Sequence, residues 1–365
     1  MKRRKFVNAT GAAGMAGILA AGAAPAFAQA SPEIKWRLAS SFPKSLDTIY
    51  AIGEVVAKRV AALTNNKFQI QTFAAGEIVP GLQVADAVQN GTVQMGHTAS
   101  YYYVGKDPAF AIGCAIPFGL NARQFNAWWH VGGGDALFNE FLRDYNIHGL
   151  LCGNTGAQMG GWYRKEIKTV ADLKGLKFRI AGIAGQVLAK LGVIAQQLAG
   201  GEIYPALEKG TIDAAEWVGP YDDEKLGFNK VAKYYYYPAW WEGGPALHLY
   251  INAKSWGELP KDYQAALEAA AHEGNTLMLA RYDAGNPAAL KRLVASGTQL
   301  RPYPRPIMEA SYKAAMELYA EISAKNAKFK KLLDHQTKFL EDEVLWFRVC
   351  EANYDNYMQT GRRKT

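Results

Sequence analysis

The chain has 365 residues, of which 49% are hydrophobic and 20% are charged, and its formal net charge is +8. Four of its 41 basic residues lie within the first five positions, which leaves 37 basic residues against 33 acidic ones in the rest of the chain. No block of Lys and Arg remains that would indicate nucleic-acid binding, and the basic end over 362–364 is typical of a solvated tail. The length predicts two domains.

The first 28 residues have the pattern of an export signal. A basic start precedes an Ala/Gly-rich apolar run over 12–24, and the Ala-Phe-Ala at 26–28 has the small-x-small pattern of a cleavage site. The pair Arg3-Arg4 resembles a twin-arginine leader, whereas Lys2 stands where Ser or Thr is usual, so the general secretory route remains open. Glycines interrupt the run and it is barely long enough to cross a bilayer, which disfavours a membrane anchor.

The first part of the exported chain alternates predicted strands and helices. Ile34–Ala39 predicts a strand, and Ser45–Leu63 predicts an amphipathic helix capped by its first residue. Phe68–Phe73 alternates as a strand does, and Leu82–Gln89 predicts a helix. After a glycine turn, Val93–Tyr103 predicts a strand that ends in polar and aromatic residues. This β-α-β-α-β order favours a mostly parallel sheet.

The same order begins again in the middle of the chain. Ile147–Cys152, Lys177–Ile180 and Thr211–Val218 predict strands, with a helix over Gly185–Leu191 between them. The segment 87–93 (AVQNGTV) matches 206–212 (ALEKGTI), because each contains a helix end, a glycine turn and a β-branched strand start. We therefore expect two similar α/β lobes whose strand ends meet at a common cleft.

The last third of the chain is predicted to be mostly helical. The long runs are Pro260–Ala284, Ala310–Asn326 and Lys328–Tyr354. Such helices can bridge both lobes or offer a surface to a partner subunit. We assign residues 29–153 with about 247–300 to the first lobe. Residues 154–246 with part of 301–365 and the long C-terminal helices form the second.

The motifs of common enzyme classes do not occur in this sequence. It contains no nucleophile elbow, phosphate loop, dinucleotide fingerprint or HExxH. Gly182-x-x-Gly185 lacks a third glycine, and the six histidines do not stand at metal-ligand spacing. The three cysteines allow at most one disulfide and are expected to be small buried residues. We expect a binding protein and no catalytic residues.

The residues that end the predicted strands suggest a binding site. Glu216 in TIDAAEWVGP is costly in a buried strand unless it is paired, protonated or bound to a cation. Arg179, in KFRI, can hold a carboxylate through two parallel hydrogen bonds, although an ordinary surface arginine is an equal alternative. Gln158 and Glu242 add further oxygen atoms. With a backbone carbonyl near Trp217 they form the all-oxygen set that sodium or calcium prefers.

Several segments together resemble a known family. The export leader, WRLASSFPKSLDTIY, LKGLKFRI, ALEKGTIDAAEWVGP and YYYYPAWWEGG resemble the solute-binding proteins of tripartite ATP-independent periplasmic (TRAP) transporters, and among them the binders of 2-oxo acids. The likeness covers essentially all of the chain after the leader. It implies a periplasmic, two-lobed α/β protein that closes over an organic acid and delivers it to membrane subunits driven by an ion gradient.

The resemblance also implies roles for individual residues. By position, Arg179 matches the arginine that pairs with the substrate carboxylate. The family's cation-binding positions match Gln158, Glu216, Glu242 and the carbonyl of Trp217. Three of these residues are expected to contact the ligand as well: Gln158, Trp217 and Glu242. The strand end that touches the ligand matches Thr98, Ala99, Ser100 and Tyr101. The cation is sodium in the 2-oxo-acid binders and calcium in a lactate relative, and some relatives dimerise through helices that correspond to Lys328–Tyr354.

We therefore expect a receptor that binds pyruvate or 2-oxobutanoate together with sodium. The alternatives in the same class are lactate or another 2-hydroxy acid held with calcium, or a dicarboxylate. A metal-assisted enzyme with Glu216 as the base is remote, because no second positioned titratable group accompanies it. A structural role, in which Arg179 and Glu216 merely pair with each other, is the remaining alternative.

Overall fold

The computed structural model describes residues 32–361. The predicted export signal over 1–28 and the basic tail at 362–364 lie outside the described residues. From Glu33 onward the chain forms one compact unit. Within 32–361, no helix is both long enough and apolar enough to cross a membrane.

The strands of the described chain form two sheets. Their bounds are β1 Ile34–Ser40, β2 Phe68–Phe73, β3 Met95–Thr98, β4 Ile147–Asn154, β5 Trp162–Tyr163, β6 Lys177–Arg179, β7 Ile194–Gln196, β8 Ala214–Ala215, β9 Tyr234–Tyr237, β10 Ala246–Asn252 and β11 Gln299–Pro302. The first sheet has the order β2-β1-β3-β10-β4 and the second has the order β11-β9-β5-β8-β6-β7. Five of these nine pairings are parallel, so the predicted mixed, mostly parallel α/β class is confirmed.

Helices pack against both sheets and fill most of the C-terminal third. Their bounds are α1 Ala51–Leu63, α2 Val84–Gln89, α3 Ala122–His130, α4 Gly134–Leu142, α5 Ala184–Lys190, α6 Gly200–Glu208, α7 Pro220–Leu226, α8 Ala253–Glu258, α9 Lys261–Ala295, α10 Arg305–Ser323, α11 Ala327–Val349 and α12 Glu351–Gly361. The long C-terminal helices are thus confirmed. The residue boundaries assigned to the two lobes stay a prediction.

The first helix begins later than predicted. α1 starts at Ala51, and the segment before it is a series of turns in which the Leu46 N–H donates to the Pro43 carbonyl at 3.2 Å. Leu46 and Ile49 are buried in these turns. The apolar spacing that suggested a helix from Ser45 therefore reflects burial of two turn residues, and the predicted start and cap at Ser45 are wrong.

Two predicted strands are shorter than their sequence pattern suggested. β3 ends at Thr98 and is followed by a 3₁₀ helix over Ser100–Tyr103, and β8 contains only Ala214–Ala215. The polar and aromatic residues at both strand ends therefore lie in connecting segments. This arrangement places Tyr101 and Glu216 beyond the edges of their sheets, where side chains can meet residues of the other sheet.

The long helix α9 contacts elements of both sheets. Near its start, Tyr263 stacks on Phe68 of β2 with ring centroids 5.6 Å apart. Further along, the Tyr282 hydroxyl donates to Asp222 Oδ2 of α7 at 2.7 Å. Because α7 directly follows the segment with Glu216, this helix ties that segment to the first sheet.

Candidate ligand and cation site

Glu216 is fully buried and forms an ion pair with Arg179. Its Oε1 accepts hydrogen bonds from Arg179 Nη1 at 2.5 Å and from the Ala181 N–H at 3.0 Å. The same Nη1 donates to the Glu216 carbonyl at 2.8 Å. Its other oxygen, Oε2, has no hydrogen-bond partner within residues 32–361. Pairing with arginine therefore satisfies only half of this carboxylate.

The strand register explains why these two residues meet. β6 and β8 are parallel neighbours in which Arg179 stands opposite Ala215, so the residue after Ala215 lies beside the end of β6. The Glu216 N–H donates to the Arg179 carbonyl at 3.1 Å. The guanidinium carbon lies 5.2 Å from the centroid of the Trp217 ring, and its Nε donates to the Leu198 carbonyl. Nη2 makes no hydrogen bond to the described residues.

A second buried carboxylate, that of Glu242, lies in a segment that is hydrogen-bonded to the Gln158 backbone. The Gln158 N–H donates to the Glu242 carbonyl at 3.4 Å, and the Gln158 carbonyl accepts from the Ala239 N–H at 3.0 Å. Both carboxylate oxygens of Glu242 and the Gln158 Oε1 atom make no hydrogen bond of good geometry to the described residues, although the Tyr101 hydroxyl lies close enough to Glu242 to lower its pKa. With Glu216 Oε2, four buried acceptor atoms at this place are available to a further partner.

The pKa shifts place the two glutamates in one electrostatic environment. Burial raises the pKa of Glu242 well above its usual range, and Glu216 raises it further, whereas Arg179 opposes the rise. Burial also raises the pKa of Glu216, against the opposing effects of Arg179 and the Ala181 N–H. A nearby cation would favour the ionised form of both carboxylates.

These residues fit a hard cation. Unpaired buried carboxylate and amide oxygens are the ligands that sodium or calcium takes, and no described hydrogen bond occupies the Trp217 carbonyl. No group of three or more His, Cys, Asp or Glu residues within 32–361 is placed to hold a metal ion. The predicted cation site contains only two carboxylates, and its other ligands are an amide oxygen and a backbone carbonyl oxygen. The absence of a cluster of three such residues is therefore compatible with it.

A small cavity lies between the two strand ends. Its volume is about 10 Å³, and its lining includes four of the predicted residues: Ala99, Tyr101, Gln158 and Trp217. Arg179, Glu216 and Glu242 do not line it. Trp217 packs on Arg179. Burial raises the pKa of Tyr101, and the nearby Glu242 carboxylate raises it further. Contact between the charged residues and a ligand therefore stays a prediction.

The hydroxyl of one predicted ligand residue, Thr98, is engaged within the first sheet. Thr98 Oγ1 accepts from Ser41 Oγ at 2.6 Å and lies 2.7 Å from the Tyr103 hydroxyl. Ser100 is fully buried, and neither residue lines the cavity. Ligand contacts by Thr98 and Ser100 therefore stay a prediction.

Sequence reasoning missed other cavity residues. Phe42, Tyr102, Thr155 and Val218 also line the cavity. Tyr102 lies in the short 3₁₀ helix after β3, and the other three lie outside helices and strands, so no repeating spacing distinguishes any of them from a loop residue. The run of aromatic residues after Ser100 was the one signal that could have indicated Tyr102.

Two buried aspartates also escaped prediction. Burial raises the pKa of both Asp222 and Asp223 to about 7. Asp223 Oδ2 accepts from the Trp162 indole at 2.9 Å and from the Tyr235 hydroxyl at 2.7 Å. These bonds fix the start of α7 to β5 and β9, and thereby the chain that follows Trp217.

Comparison with known proteins places most of the described chain in one family. Residues 39–326 match DctP, the bacterial extracellular solute-binding proteins of family 7. The chain is 53% identical over 331 residues to the monocarboxylate 2-oxoacid-binding periplasmic protein of Nostoc sp., covering 91% of each sequence.

Two solved structures are similar over most of the chain. A TRAP transporter solute-binding protein from Bordetella bronchiseptica, a mixed-occupancy dimer with copurified calcium and picolinate, is 54% identical with a TM-score of 0.90 and covers 92% of this chain and 99% of its own. A TRAP periplasmic solute-binding protein from Pseudoalteromonas atlantica, with bound sodium and pyruvate, is 38% identical with a TM-score of 0.86. The match covers 89% of this chain and 99% of that protein's chain. The chain therefore belongs to the DctP family and is a TRAP solute-binding protein.

Proposed function

We propose that this chain is the periplasmic receptor for a small 2-oxo monocarboxylate, pyruvate or 2-oxobutanoate. It binds the acid together with a metal cation and delivers it to the membrane subunits of a TRAP transporter. The observation that carries the proposal is the buried Arg179–Glu216 pair with unpaired oxygens of Glu216, Glu242 and Gln158 around it. The relatives from Nostoc and Pseudoalteromonas, which bind 2-oxo acids by name or content, support the same ligand class.

The charges of the site explain why acid and cation bind together. Glu216, Glu242 and the ligand carboxylate carry three negative charges, against one positive charge on Arg179. A desolvated site is stable only when such charges nearly cancel. Glu216, Glu242, Gln158 and the Trp217 carbonyl would hold the cation, which supplies positive charge and a coordination position for a ligand oxygen. Arg179 would bind the ligand carboxylate through Nη2, the nitrogen that its hydrogen bonds to Glu216 and Leu198 leave free.

The proposed cation is sodium, and calcium is the second candidate. Sodium accompanies pyruvate in the Pseudoalteromonas protein, whereas calcium accompanies picolinate in the Bordetella protein and pyruvate in a TRAP solute-binding protein from Colwellia psychrerythraea. Charge balance favours calcium, because a divalent ion cancels the two excess negative charges. Titration of each chloride salt into cation-free protein distinguishes them.

Isothermal titration calorimetry with a series of acids tests the ligand class. We expect pyruvate and 2-oxobutanoate to bind more tightly than lactate, and succinate to bind weakly, because two buried glutamates disfavour a dianion. Tighter binding of lactate with calcium would replace the first proposal by a 2-hydroxy-acid receptor. Absence of heat with every 2-oxo and 2-hydroxy acid would refute both. The proposal includes no catalytic role, so turnover of a 2-oxo acid would also contradict it.

Gly182 offers a test of how closely the two strand ends must approach each other. Its φ is +69°, and a Cβ there would lie 2.7 Å from the Tyr101 ring. Its N–H donates to Gln197 Oε1, and Gln197 Nε2 donates to the Tyr102 carbonyl at 2.9 Å. We expect Gly182→Ala to lower stability by roughly 1–2 kcal/mol because of its positive φ. It should also weaken pyruvate binding about tenfold, because the added Cβ would push the Tyr101 segment away. Calorimetry measures the loss.

Gly297→Ala is the matched control. Gly297 also has positive φ, at +98°, but its Cβ would meet nothing within 4 Å. This variant should lose stability without losing affinity for pyruvate. Equal affinity losses in the two variants would show that the Tyr101 contact does not matter.

We also propose that the chain forms a homodimer through α11 and α12. Six large apolar side chains on these helices are between 51% and 70% exposed: Val344, Leu345, Trp346, Val349, Tyr354 and Tyr357. A contiguous set of exposed apolar residues is typical of an interface, and the Bordetella relative is a dimer.

A charged residue at this face should therefore produce a monomer. We expect Trp346→Asp to halve the mass measured by sedimentation equilibrium while pyruvate binding persists, because burying the aspartate would cost several kcal/mol. Leu63→Asp, a change of an exposed residue at the end of α1, is the control and should leave the mass unchanged. A wild-type monomer at micromolar concentration would contradict the dimer.

A further inference from the structure

The turn after β4 is held in place by several hydrogen bonds. Asn154 Oδ1 accepts from the Gly156 N–H at 2.8 Å, and Asn154 Nδ2 donates to the Gly244 carbonyl at 2.9 Å. The Thr155 N–H donates to the Pro245 carbonyl at 3.1 Å. Gly156 has a φ of +72°, a conformation that glycine adopts without strain. The turn over 154–156 is thus fixed to the segment that follows Glu242.

Within this turn, the hydroxyl proton of Thr155 is used in a hydrogen bond to the backbone. Thr155 Oγ1 donates to the Gly156 carbonyl at 3.1 Å, and a carbonyl oxygen can only accept. A hydroxyl has a single proton, so Oγ1 can only accept from any further partner. That partner is Gln158 Nε2, which donates to it at 3.0 Å.

This bond decides which end of the Gln158 amide faces the cation site. A side-chain amide has one donor end and one acceptor end, and the two have nearly the same shape. With Nε2 held by Thr155, Oε1 is directed away from it, and Oε1 is buried without a partner among the described residues. The reversed amide would bring two oxygen atoms together at Thr155, or would break the bond to the Gly156 carbonyl. It would also present a donor, which repels a cation.

We propose that Thr155 is a positioning residue for cation binding: by accepting from Gln158 Nε2, it presents Gln158 Oε1 to the cation shared with the ligand. This inference rests on the proposed function. It assigns to Thr155 a role that does not require contact with the acid. It also explains why the turn is fixed to the Glu242 segment, since the two then supply oxygens from a single rigid unit.

The test uses Thr155→Val and Thr155→Ser in the full-length exported protein. Valine has the shape of threonine without the hydroxyl, whereas serine keeps the hydroxyl. The probe is sodium or calcium chloride alone, titrated into cation-free protein without organic acid, and the readout is the thermal midpoint. We expect Thr155→Val to weaken cation binding about 10–100-fold, the usual effect of removing a residue that orients a ligand. Thr155→Ser should restore wild-type binding.

A second background separates orientation from other effects of the hydroxyl. Gln158→Glu places a carboxylate at this position, and a carboxylate presents an oxygen whichever way it turns. Thr155→Val should therefore cost much less in the Gln158→Glu background than in the wild type. An equal loss in both backgrounds would overturn the inference, because Thr155 would then act without Gln158.

The wild type distinguishes failure of this inference from failure of the proposed function. If the wild type shows neither cation-dependent stabilisation nor pyruvate binding, the proposed function is overturned, and the role of Thr155 with it. Normal wild-type binding with an unchanged Thr155→Val variant would overturn the role of Thr155 alone.

Discussion

Arg179→Ala is expected to reduce the affinity for pyruvate by about 2–5 kcal/mol, which is the usual cost of removing one partner of a buried hydrogen-bonded ion pair. Arg179 is 1% exposed, and its Nη1 already binds Glu216. The variant removes the donor for the ligand carboxylate and also leaves a buried glutamate without its counter-charge. We therefore expect a lower free energy of unfolding as well, by about 3–5 kcal/mol. Calorimetry and denaturant unfolding measure the two effects separately.

Arg179→Lys is the informative control. Lysine keeps the positive charge beside Glu216, but its single ammonium has no second nitrogen that could reach a ligand carboxylate while the first binds Glu216. Most of the stability should return while much of the affinity loss persists. If the lysine variant binds pyruvate as the wild type does, Nη2 of Arg179 has no role in recognition. Unchanged affinity in Arg179→Ala would remove this residue from the site.

Glu242→Gln is expected to lower the cation affinity strongly and to remove its pH dependence. The pKa of Glu242 is raised well above its ordinary value of 4.5, mainly by burial, so the folded chain holds a proton that the unfolded chain has already released. Stability of the cation-free protein therefore falls as pH rises from that ordinary value through the raised pKa. A bound cation requires the ionised carboxylate, so cation affinity should rise with pH, by up to about tenfold per pH unit for one released proton.

The variant removes this titration. Glu242→Gln should show a cation affinity that is low at every pH, and its unfolding free energy should depend less on pH than that of the wild type. Glu273→Gln is the control, because Glu273 lies at the surface and pairs with Arg59. Thermal midpoints with and without calcium chloride from pH 5 to pH 9 provide the measurement. A cation affinity that does not change with pH in the wild type would contradict the role of Glu242.

Repeating hydrophobic patterns were sufficient to predict the fold class. The alternation in 34–39 and 68–73 corresponds to β1 and β2, and the long apolar spacing after 260 corresponds to α9. The patterns could not determine where β3 and β8 end. Hydrophobic residues continue past both strands because they are buried in irregular segments, and periodicity does not distinguish the two cases.

Strand ends and family resemblance together predicted Arg179, Glu216, Gln158 and Glu242 as site residues. The structure buries all four side chains, and their contact with a ligand stays a prediction. The direct pair between Arg179 and Glu216, which the sequence allowed only as an alternative, depends on the register of β6 and β8. The role of Thr155 depends on which atom donates in two hydrogen bonds, and residue spacing carries no information about that choice.

We propose that one buried site binds a 2-oxo acid and a cation together. This claim is tested by titration of pyruvate into wild-type protein, first after removal of cations and then after their return. We expect binding with the cation present and an affinity about 5–150-fold lower without it, the usual range of coupling between two ligands. Identical pyruvate affinity with and without sodium and calcium would contradict the claim.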